Sequence, residues 1–356
     1  MAFTSVRLYQ FRNLDDTTIE TDARDVFLVG ENGQGKTNFL EAIYFTCYGS
    51  SFRTKRDDTL IRHGESDLAV EARFQRGSET QWIVIKQAGR KKTIEFNGKL
   101  VSDRKEIVSN VPCIVFCHDD IGFVTGAPEM QRWFMNQTLS LVNRDYLNAL
   151  RLYNRILRSR NAALRSGQLQ LLDALDQQLV EAGMPIMDAR REMNSRFSGV
   201  LGELFGTVFE GDTELRLTYR SSWRSDALQN ELRSRRDNDV RMATTTSGPH
   251  RDRFVYEFGG SLLTDTASTG QLRLVSLILR VAQARFVRDA TATLPVLLLD
   301  DVLLELDPRR RARFMEVLPD YDQAFFTFLP DEQYARFRGD STLTYRVEGG
   351  RLNAES

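Results

Sequence analysis

Cysteine is scarce in this chain. Cys47, Cys113 and Cys117 are the only three among 356 residues, too few for a disulfide framework, and a reducing compartment is the expected setting. Long apolar runs are missing as well. Stretches such as LPVLLL fall far short of the ~20 residues a membrane-spanning helix needs. The first residues, MAFTSVRLYQFRN, hold no continuous apolar segment, so no secretory signal is expected. Neither sign of charge dominates: 48 Lys and Arg against 49 Asp and Glu leave a net charge of −1. That excludes a uniformly basic nucleic-acid coat but permits a local basic surface. Internal repeats and low-complexity segments are also absent. What remains is an ordinary soluble composition, 41% hydrophobic and 27% charged, which fits neither a disordered nor a membrane chain. Its length suits two domains or lobes.

Strand and helix patterns are unevenly distributed. FTSVRLYQF and DVFLVG read as strands, and Lys36 to Tyr48 has helical spacing, with Phe39, Leu40, Ile43 and Tyr44 on one side. Three strand-like runs follow, DLAVEARF, TQWIVIKQ and KKTIEFNGKLV, the last with an Asn97-Gly98 pair suited to a hairpin turn. VPCIVFCH is a further buried strand. From Pro128 to about Phe205 the spacing is helical. After a mixed segment the alternation of strand and helix returns with DRFVYEF, a helix from about Gly270 to Val287, LPVLLLD, a helix from Pro308, and QAFFTF. The expected organisation is one α/β lobe in two halves, residues 1–122 and 246–356, with a mainly helical lobe of residues 123–245 inserted between them.

The two halves carry complementary motifs. GENGQGKT, from Gly30 to Thr37, matches G-x-x-x-x-G-K-[ST] at every fixed position and lies between a strand and a helix. In such a loop Gly30, Glu31, Asn32, Gly33, Gln34 and Gly35 surround phosphate, and glycine lets the backbone N–H groups of Gly33 and Gly35 turn inward. Lys36 reaches the β and γ oxygens, Thr37 offers a hydroxyl to Mg²⁺, and the helix N-terminus attracts the anion. VLLLDD supplies a buried strand ending at Asp300, which suits Mg²⁺. Asp301 stands where a carboxylate would polarise an attacking water. Between Lys36 and Leu299, in these two halves of one ATP site, stand 262 of the 356 residues.

ASTGQLR offers a second phosphate-binding surface, with Ser268, Gly270 and Gln271 at the start of an apolar-striped helix. One site does not need two such surfaces from one chain, whereas two chains face to face would use both. ELDPRRR contains a helix start, with Asp307 as N-cap and Pro308 at the first position.

Together these pieces resemble the ABC-type ATPase heads of the structural-maintenance and Rad50 class. SFRTKRDDTLIRHG, TTTSGPHRD, ASTGQLRLVSLILRVA, LLLDDVLLELD, YNRILRSRNAAL and FRNL narrow the resemblance to the RecF family, over nearly the whole chain. The resemblance implies an α/β ABC-type P-loop head, lobe I being a mixed sheet with helices and lobe II an inserted, mostly helical lobe. It implies a signature motif at Ser268, Gly270 and Gln271 acting on a second copy, a D-loop at Asp307 and a switch at Thr327. It further implies an ATP-dependent homodimer that binds gapped DNA at single-strand/double-strand junctions, hydrolyses ATP slowly, and works with RecO and RecR to place RecA, in the cytoplasm and near the nucleoid. Departures stand at Arg253, where the family reads G-P-H-R-D-D, at Gln131 and Asn136 in PEMQRWFMN, and in DDVLLELD. None touches a phosphate-binding position.

Arg144, Arg151, Arg155, Arg158 and Arg165 fall within about 40° of one line on a helix, with Leu150, Leu152, Ile156, Leu157, Ala163 and Leu164 towards the other side. Arg160 breaks the pattern. Arg151, Arg155 and Arg158 are the candidate DNA contacts, although a solvated helix face explains such a stripe equally well. Arg53, Lys55, Arg56 and Arg90 to Lys92 are a second basic group. Cys113, Cys117 and His118 lack a nearby fourth metal ligand, and His250 reads as a packing or hydrogen-bonding residue. Two other classes share some of these features. A small-molecule phosphotransferase would use Gly30–Thr37 but leave ASTGQLR without a role. A transporter's nucleotide-binding subunit would call for a switch His and a fuller L-S-G-G-Q.

Overall fold

The computed structural model describes residues 2–108, 110–209, 213–223, 228–303, 306–332 and 334–355. Contacts divide the chain into two units, one formed by Met1–Asp119 with Ala284–Ser356 and the other by Asp120–Gln283.

The first unit holds two sheets. One is antiparallel, built from β1 (Ala2–Tyr9), β2 (Thr18–Glu20), β4 (Asp67–Arg76), β5 (Glu79–Ala88), β6 (Lys91–Phe96) and β7 (Lys99–Leu100) in the order β2-β1-β4-β5-β6-β7. Its strands alternate as a half-buried sheet should: Leu68, Val70, Ala72 and Phe74 of β4 are buried, and their neighbours are not. Asn97 and Gly98 join β6 to β7 with φ of 49° and 76°, the two positive values that a tight hairpin turn requires.

The other sheet is mainly parallel, with β3 (Asp25–Val29), β8 (Cys113–Phe116), β12 (Val296–Leu299), β13 (Gln323–Phe328), β14 (Thr342–Glu348) and β15 (Arg351–Ala354) in the order β15-β14-β3-β13-β12-β8. β8, β12 and β13 are buried along their whole length, the continuous apolar pattern of strands covered on both faces. β13 lies between β3 and β12, with Phe328 opposite Val29 and Phe326 opposite Leu299. The carboxyl ends of β3, β13 and β12 therefore lie along one edge of the sheet, with β12 stopping two residues short of β13, the edge at which open α/β sheets bind ligands. Helix α1 (Lys36–Tyr48) follows β3 and is buried nearly all round. The strands β14 and β15 and the short β2 have no counterpart in the sequence reading.

The second unit contains the longer helices α2 (Pro128–Val142), α3 (Arg144–Ser166) and α4 (Leu172–Val208), and a sheet ordered β11-β10-β9 from β9 (Leu215–Arg220), β10 (Arg253–Phe258) and β11 (Ser261–Leu262). Helix α5 (Thr269–Thr291) starts in this unit, and the boundary falls within it. Residues 246–283 were expected with the C-terminal half; by contact they cluster with the insertion. The reason is pairing. β10 is hydrogen-bonded to β9 from Arg253–Arg220 to Phe258–Leu215. On α5, Arg280 Nη2 donates to Asp120 Oδ1 at 2.7 Å and Gln283 Nε2 to Thr138 Oγ1 at 2.9 Å. Helix α6 (Pro308–Val317) belongs to the first unit. Among the described residues no helix is long and apolar enough to cross a membrane.

Candidate nucleotide site

β3 delivers the chain into the phosphate loop at a level fixed by its neighbours. Gly30 is buried, and a Cβ there would stand 2.3 Å from the Val347 carbonyl oxygen of β14. Gly33 and Gly35 have φ of 79° and 121°, values that side chains disfavour. A Cβ on Gly35 would also press on Leu14 Cδ2 at 2.9 Å. Gly35 caps α1 without a side-chain hydrogen bond, so the first-turn N–H groups are left for an anion.

Lys36 is 3% exposed. Its Nζ donates to the carbonyls of Gly30 at 2.5 Å and Glu31 at 3.2 Å. Thr37 Oγ1 donates to Asp300 Oδ1 at 2.8 Å, across 263 positions of sequence. Burial, aided by the neighbouring Asp301 charge, pushes the Asp300 carboxyl up to about 6 against the pull of the Thr37 hydrogen bond. Asp301 has φ of 52°. Thr327 of β13 holds it twice, accepting from the Asp301 N–H at 2.7 Å and donating to Asp301 Oδ1 at 2.8 Å.

Three further residues join this constellation without having been singled out for it. Arg12 makes a two-pronged pair with the fully buried Glu41 on α1, at 2.9 and 3.1 Å. Asn13 accepts from Asn38 Nδ2 at 2.7 Å. Glu332, after β13, accepts from the Leu329 N–H at 2.8 Å. Burial raises its carboxyl, as does the Asp301 charge, while Arg311 and Lys36 oppose the rise. The signal for Arg12 and Asn13 was present in FRNL; Glu332 carries no motif. Arg53 moves out of the basic group in which the sequence placed it. Its Nη1 donates to Asn38 Oδ1 at 2.9 Å, and it lies 3.5 Å from Glu41. Lys55, Arg56, Arg90 and Lys92 do share one cleft of about 500 Å³ with Asp57, Asp58 and Gln87.

Asp307 caps α6 through Arg309 N and Arg310 N at 3.1 and 2.9 Å; Leu304 and Glu305 of the same motif lie outside the described residues. Cys113 is buried, its N–H and carbonyl both hydrogen-bonded to the Tyr48 hydroxyl.

In the second unit, Ser268 and Gln271 form a reciprocal capping box at the start of α5: Ser268 N donates to Gln271 Oε1 at 2.7 Å, and Gln271 N to Ser268 Oγ at 3.3 Å. Ser268 and Gly270 are exposed. On α3, Arg144, Arg151, Arg155, Arg158 and Arg165 are all exposed. Leu152, expected on the apolar side, is 46% exposed, because the buried side of α3 is narrower than the helical wheel suggests. Arg160 is buried between Asp176 and Asp239, each at 2.7 Å. His250 bridges the Tyr153 hydroxyl at 2.7 Å and the Thr245 carbonyl at 3.0 Å. Two departures from the family pattern are accounted for. Asn136 Oδ1 accepts from Arg190 Nη2 at 2.9 Å and the Tyr146 hydroxyl at 2.6 Å. Arg253 is exposed, while the adjacent Asp252 is buried against Arg190 at 2.7 Å.

The family described as RecF/RecN/SMC N terminal domain matches residues 2–346. The DNA replication and repair protein RecF of Treponema pallidum (strain Nichols) is 42% identical over 345 residues, 96% of this chain and 97% of that protein. RecF of Leptospira interrogans serogroup Icterohaemorrhagiae serovar copenhageni (strain Fiocruz L1-130) is 32% identical across 92% of this chain and 91% of its own length. Among solved structures, the recombination mediator protein RecF-ATP in the RecFOR pathway is similar with a TM-score of 0.91 at 24% identity, covering 100% of this chain and 98% of that one. An SmcHead bound to the C-winged helix domain of ScpA gives 0.58 at 15%, covering 100% and 98%. The fold is that of an ABC-type ATPase head with a helical insertion. By the sequence match along nearly its whole length, the chain belongs to the RecF family of DNA replication and repair proteins.

Proposed function

We propose that this chain is an ATP-gated DNA clamp that hydrolyses ATP slowly, binds gapped DNA at single-strand/double-strand junctions as a homodimer, and works with RecO and RecR to place RecA. The observation that carries the reading is the Thr37–Asp300 hydrogen bond, which unites the two ends of the chain in one site. Membership of the RecF family sets aside the transporter and phosphotransferase alternatives.

ATP phosphates enter the turn of Gly30 to Thr37, and Lys36 exchanges two carbonyl oxygens for phosphate oxygens. Thr37 and Asp300 are the residues that would hold Mg²⁺, whose chemistry when bound is to neutralise phosphate charge. Two protein oxygens suit Mg²⁺, which keeps water and phosphate as its other ligands. Asp301 orients the attacking water. It is one methylene shorter than glutamate, and Thr327 engages it from two sides. Slow turnover follows from both. Ser268, Gly270 and Gln271 contact the nucleotide of the opposite copy, and Asp307 serves as the D-loop. Arg151, Arg155 and Arg158 face the DNA backbone.

Sedimentation with and without ATP, and then with gapped DNA, tests the scheme. The wild type should dimerise only with ATP, while Ser268→Arg should bind ATP and remain a monomer. A wild-type chain that stays monomeric at saturating ATP overturns the gating, and an unchanged dimer in Ser268→Arg removes that residue from the interface.

A further inference from the structure

The turn of the C-terminal hairpin β14–β15 sits directly on the phosphate loop. Glu348 pairs with Arg351, so Gly349 and Gly350 form a two-residue turn, with φ of 56° and 89°. Both of its N–H groups point at one residue. Gly349 N donates to the side-chain oxygen of Gln34 at 2.6 Å, and Gly350 N to the main-chain oxygen of Gln34 at 2.9 Å. The other side of the turn is equally confined. The Gly350 carbonyl accepts from the Asp15 N–H at 3.0 Å. A Cβ on Gly350 would stand 1.9 Å from the Asn13 carbonyl oxygen, and Arg351 pairs with Asp15 at 2.8 Å. Below this segment, Leu14 and Asn13 occupy the space that a Cβ on Gly35 would need. Hairpin turn, Asn13–Asp15 segment and phosphate loop thus brace one another.

Gln34 occupies one of the four unspecified positions of G-x-x-x-x-G-K-T, where phosphate binding needs only the backbone. Its side chain is therefore available for another task, and here it reaches the hairpin. It lies between Gly33 and Gly35, the two glycines with the most demanding dihedrals of the loop. Holding Gln34 at both its main chain and its side chain restrains the peptide planes on either side, whose N–H groups must converge on phosphate. Glycine's conformational freedom costs entropy when it is ordered, and a loop ordered in advance binds more tightly than one ordered by its ligand.

We propose that Gln34 and the Gly349–Gly350 turn form a positioning clasp for the nucleotide, so that ATP binding and ordering of the C-terminal hairpin are coupled. The inference rests on the phosphate-loop reading of Gly30–Thr37. Coupling of this kind is reciprocal, so nucleotide should rigidify the hairpin just as the hairpin favours nucleotide. Gln34 acts by positioning the loop, so its removal is read in nucleotide affinity and in the order of the hairpin.

The test compares wild type, Gln34→Ala and Lys36→Ala by ATP titration, steady-state turnover and amide hydrogen exchange of residues 348–351. Wild type should show slower exchange in the hairpin when ATP is added. In Gln34→Ala, loss of one hydrogen bond and of loop order should weaken ATP binding by roughly five- to tenfold. The ATP-dependent protection of the hairpin should disappear and the KM for ATP should rise with the fall in affinity, while thermal melting of the ATP-free protein stays close to the wild type. Gln34→Ala with wild-type affinity and wild-type hairpin protection overturns the clasp. If Lys36→Ala loses ATP while Gln34→Ala does not, only the clasp fails. If Lys36→Ala binds ATP as the wild type does, the phosphate-loop reading fails with it. Gly350→Ala, which cannot keep the turn against Asn13, provides a second variant with the same expected loss of affinity.

Discussion

Lys36 in the first unit and Arg160 in the second are both buried cations, 3% and 0% exposed, and they are treated in opposite ways. Arg160 lies between two carboxylates and also donates to Thr245 Oγ1 at 2.9 Å. Arg190 is similarly enclosed, by Asp252, Asn136, Tyr146 and the Pro249 carbonyl. Lys36 has two carbonyls and, among the described residues, no carboxylate within ion-pair distance. A buried charge is costly unless an opposite charge meets it. In the second unit the protein supplies the counter-charge itself, and the result is architecture. In the Gly30–Thr37 turn two main-chain carbonyls meet the cation and, among the described residues, no carboxylate does, the arrangement that the proposed phosphate binding would use. Burial alone therefore separates neither case; the partner does.

The sharpest way to break this comparison is to remove each cation in turn. Arg160→Ala leaves the buried Asp239 without its cation and Asp176 with Arg236 alone, and should destabilise the fold by about 3–5 kcal/mol, read as a shift in urea midpoint. Lys36→Ala should do the reverse. Stability should hold or rise, while ATP affinity, measured by titration, drops by about a hundredfold through loss of charge-assisted phosphate bonds. If both variants lost stability equally, the distinction would collapse.

His250 sharpens the second-unit side. Burial, with the nearby Arg251 and Arg132 charges, holds its imidazole down at about 4. The unfolded chain takes up this proton near pH 6.5, and the folded chain does not. Stability is thus complete above pH 6.5 and is lost as pH falls towards 4, by up to about 3 kcal/mol. His250→Gln should flatten that slope between pH 7 and 5 in urea unfolding series, whatever it does to stability at neutral pH.

The smallest expected effect concerns cations with no interior role. Arg155 and Arg158 lie on the same helix as Arg160 but are exposed. Changing Arg151, Arg155 and Arg158 together to Ala should leave the urea midpoint within about 0.5 kcal/mol. It should flatten the slope of log affinity for gapped DNA against log salt by about 2 to 3 per chain. An unchanged slope would make the stripe a solvated face and turn attention to the cleft of Lys55, Arg56, Arg90 and Lys92.

The phosphate loop, the strand before it and the helix after it were legible because local chemistry dictates them. Gly33 and Gly35 are needed for positive φ, DVFL for a buried strand, and Phe39, Leu40 and Ile43 for the covered face of α1. The Asn97-Gly98 turn and the Asp307 cap were legible for the same reason. Other features depend on distant partners. The helical wheel could mark Arg160 as misplaced on α3, but Asp176 and Asp239, which explain it, are far along the chain. The wheel also misplaced Leu152, since the width of a buried face is set by what packs against it. The S-x-x-Q spacing of Ser268 and Gln271 that suggests a phosphate surface is also a local capping signature, and each side chain accepts from the other residue's N–H.

By itself the sequence determined most of the strands, helices and turns, though not β2, β14 or β15, and that a G-x-x-x-x-G-K-T turn and an acidic strand end are present, because these follow from periodicity and backbone sterics over a few residues. Only the tertiary structure decided that β13 inserts between β3 and β12, bringing Thr37 to Asp300 and Thr327 to Asp301, and that the last hairpin closes on Gln34. Strand order and register are settled by competition among all the apolar strands for one core, and no window of sequence contains that competition.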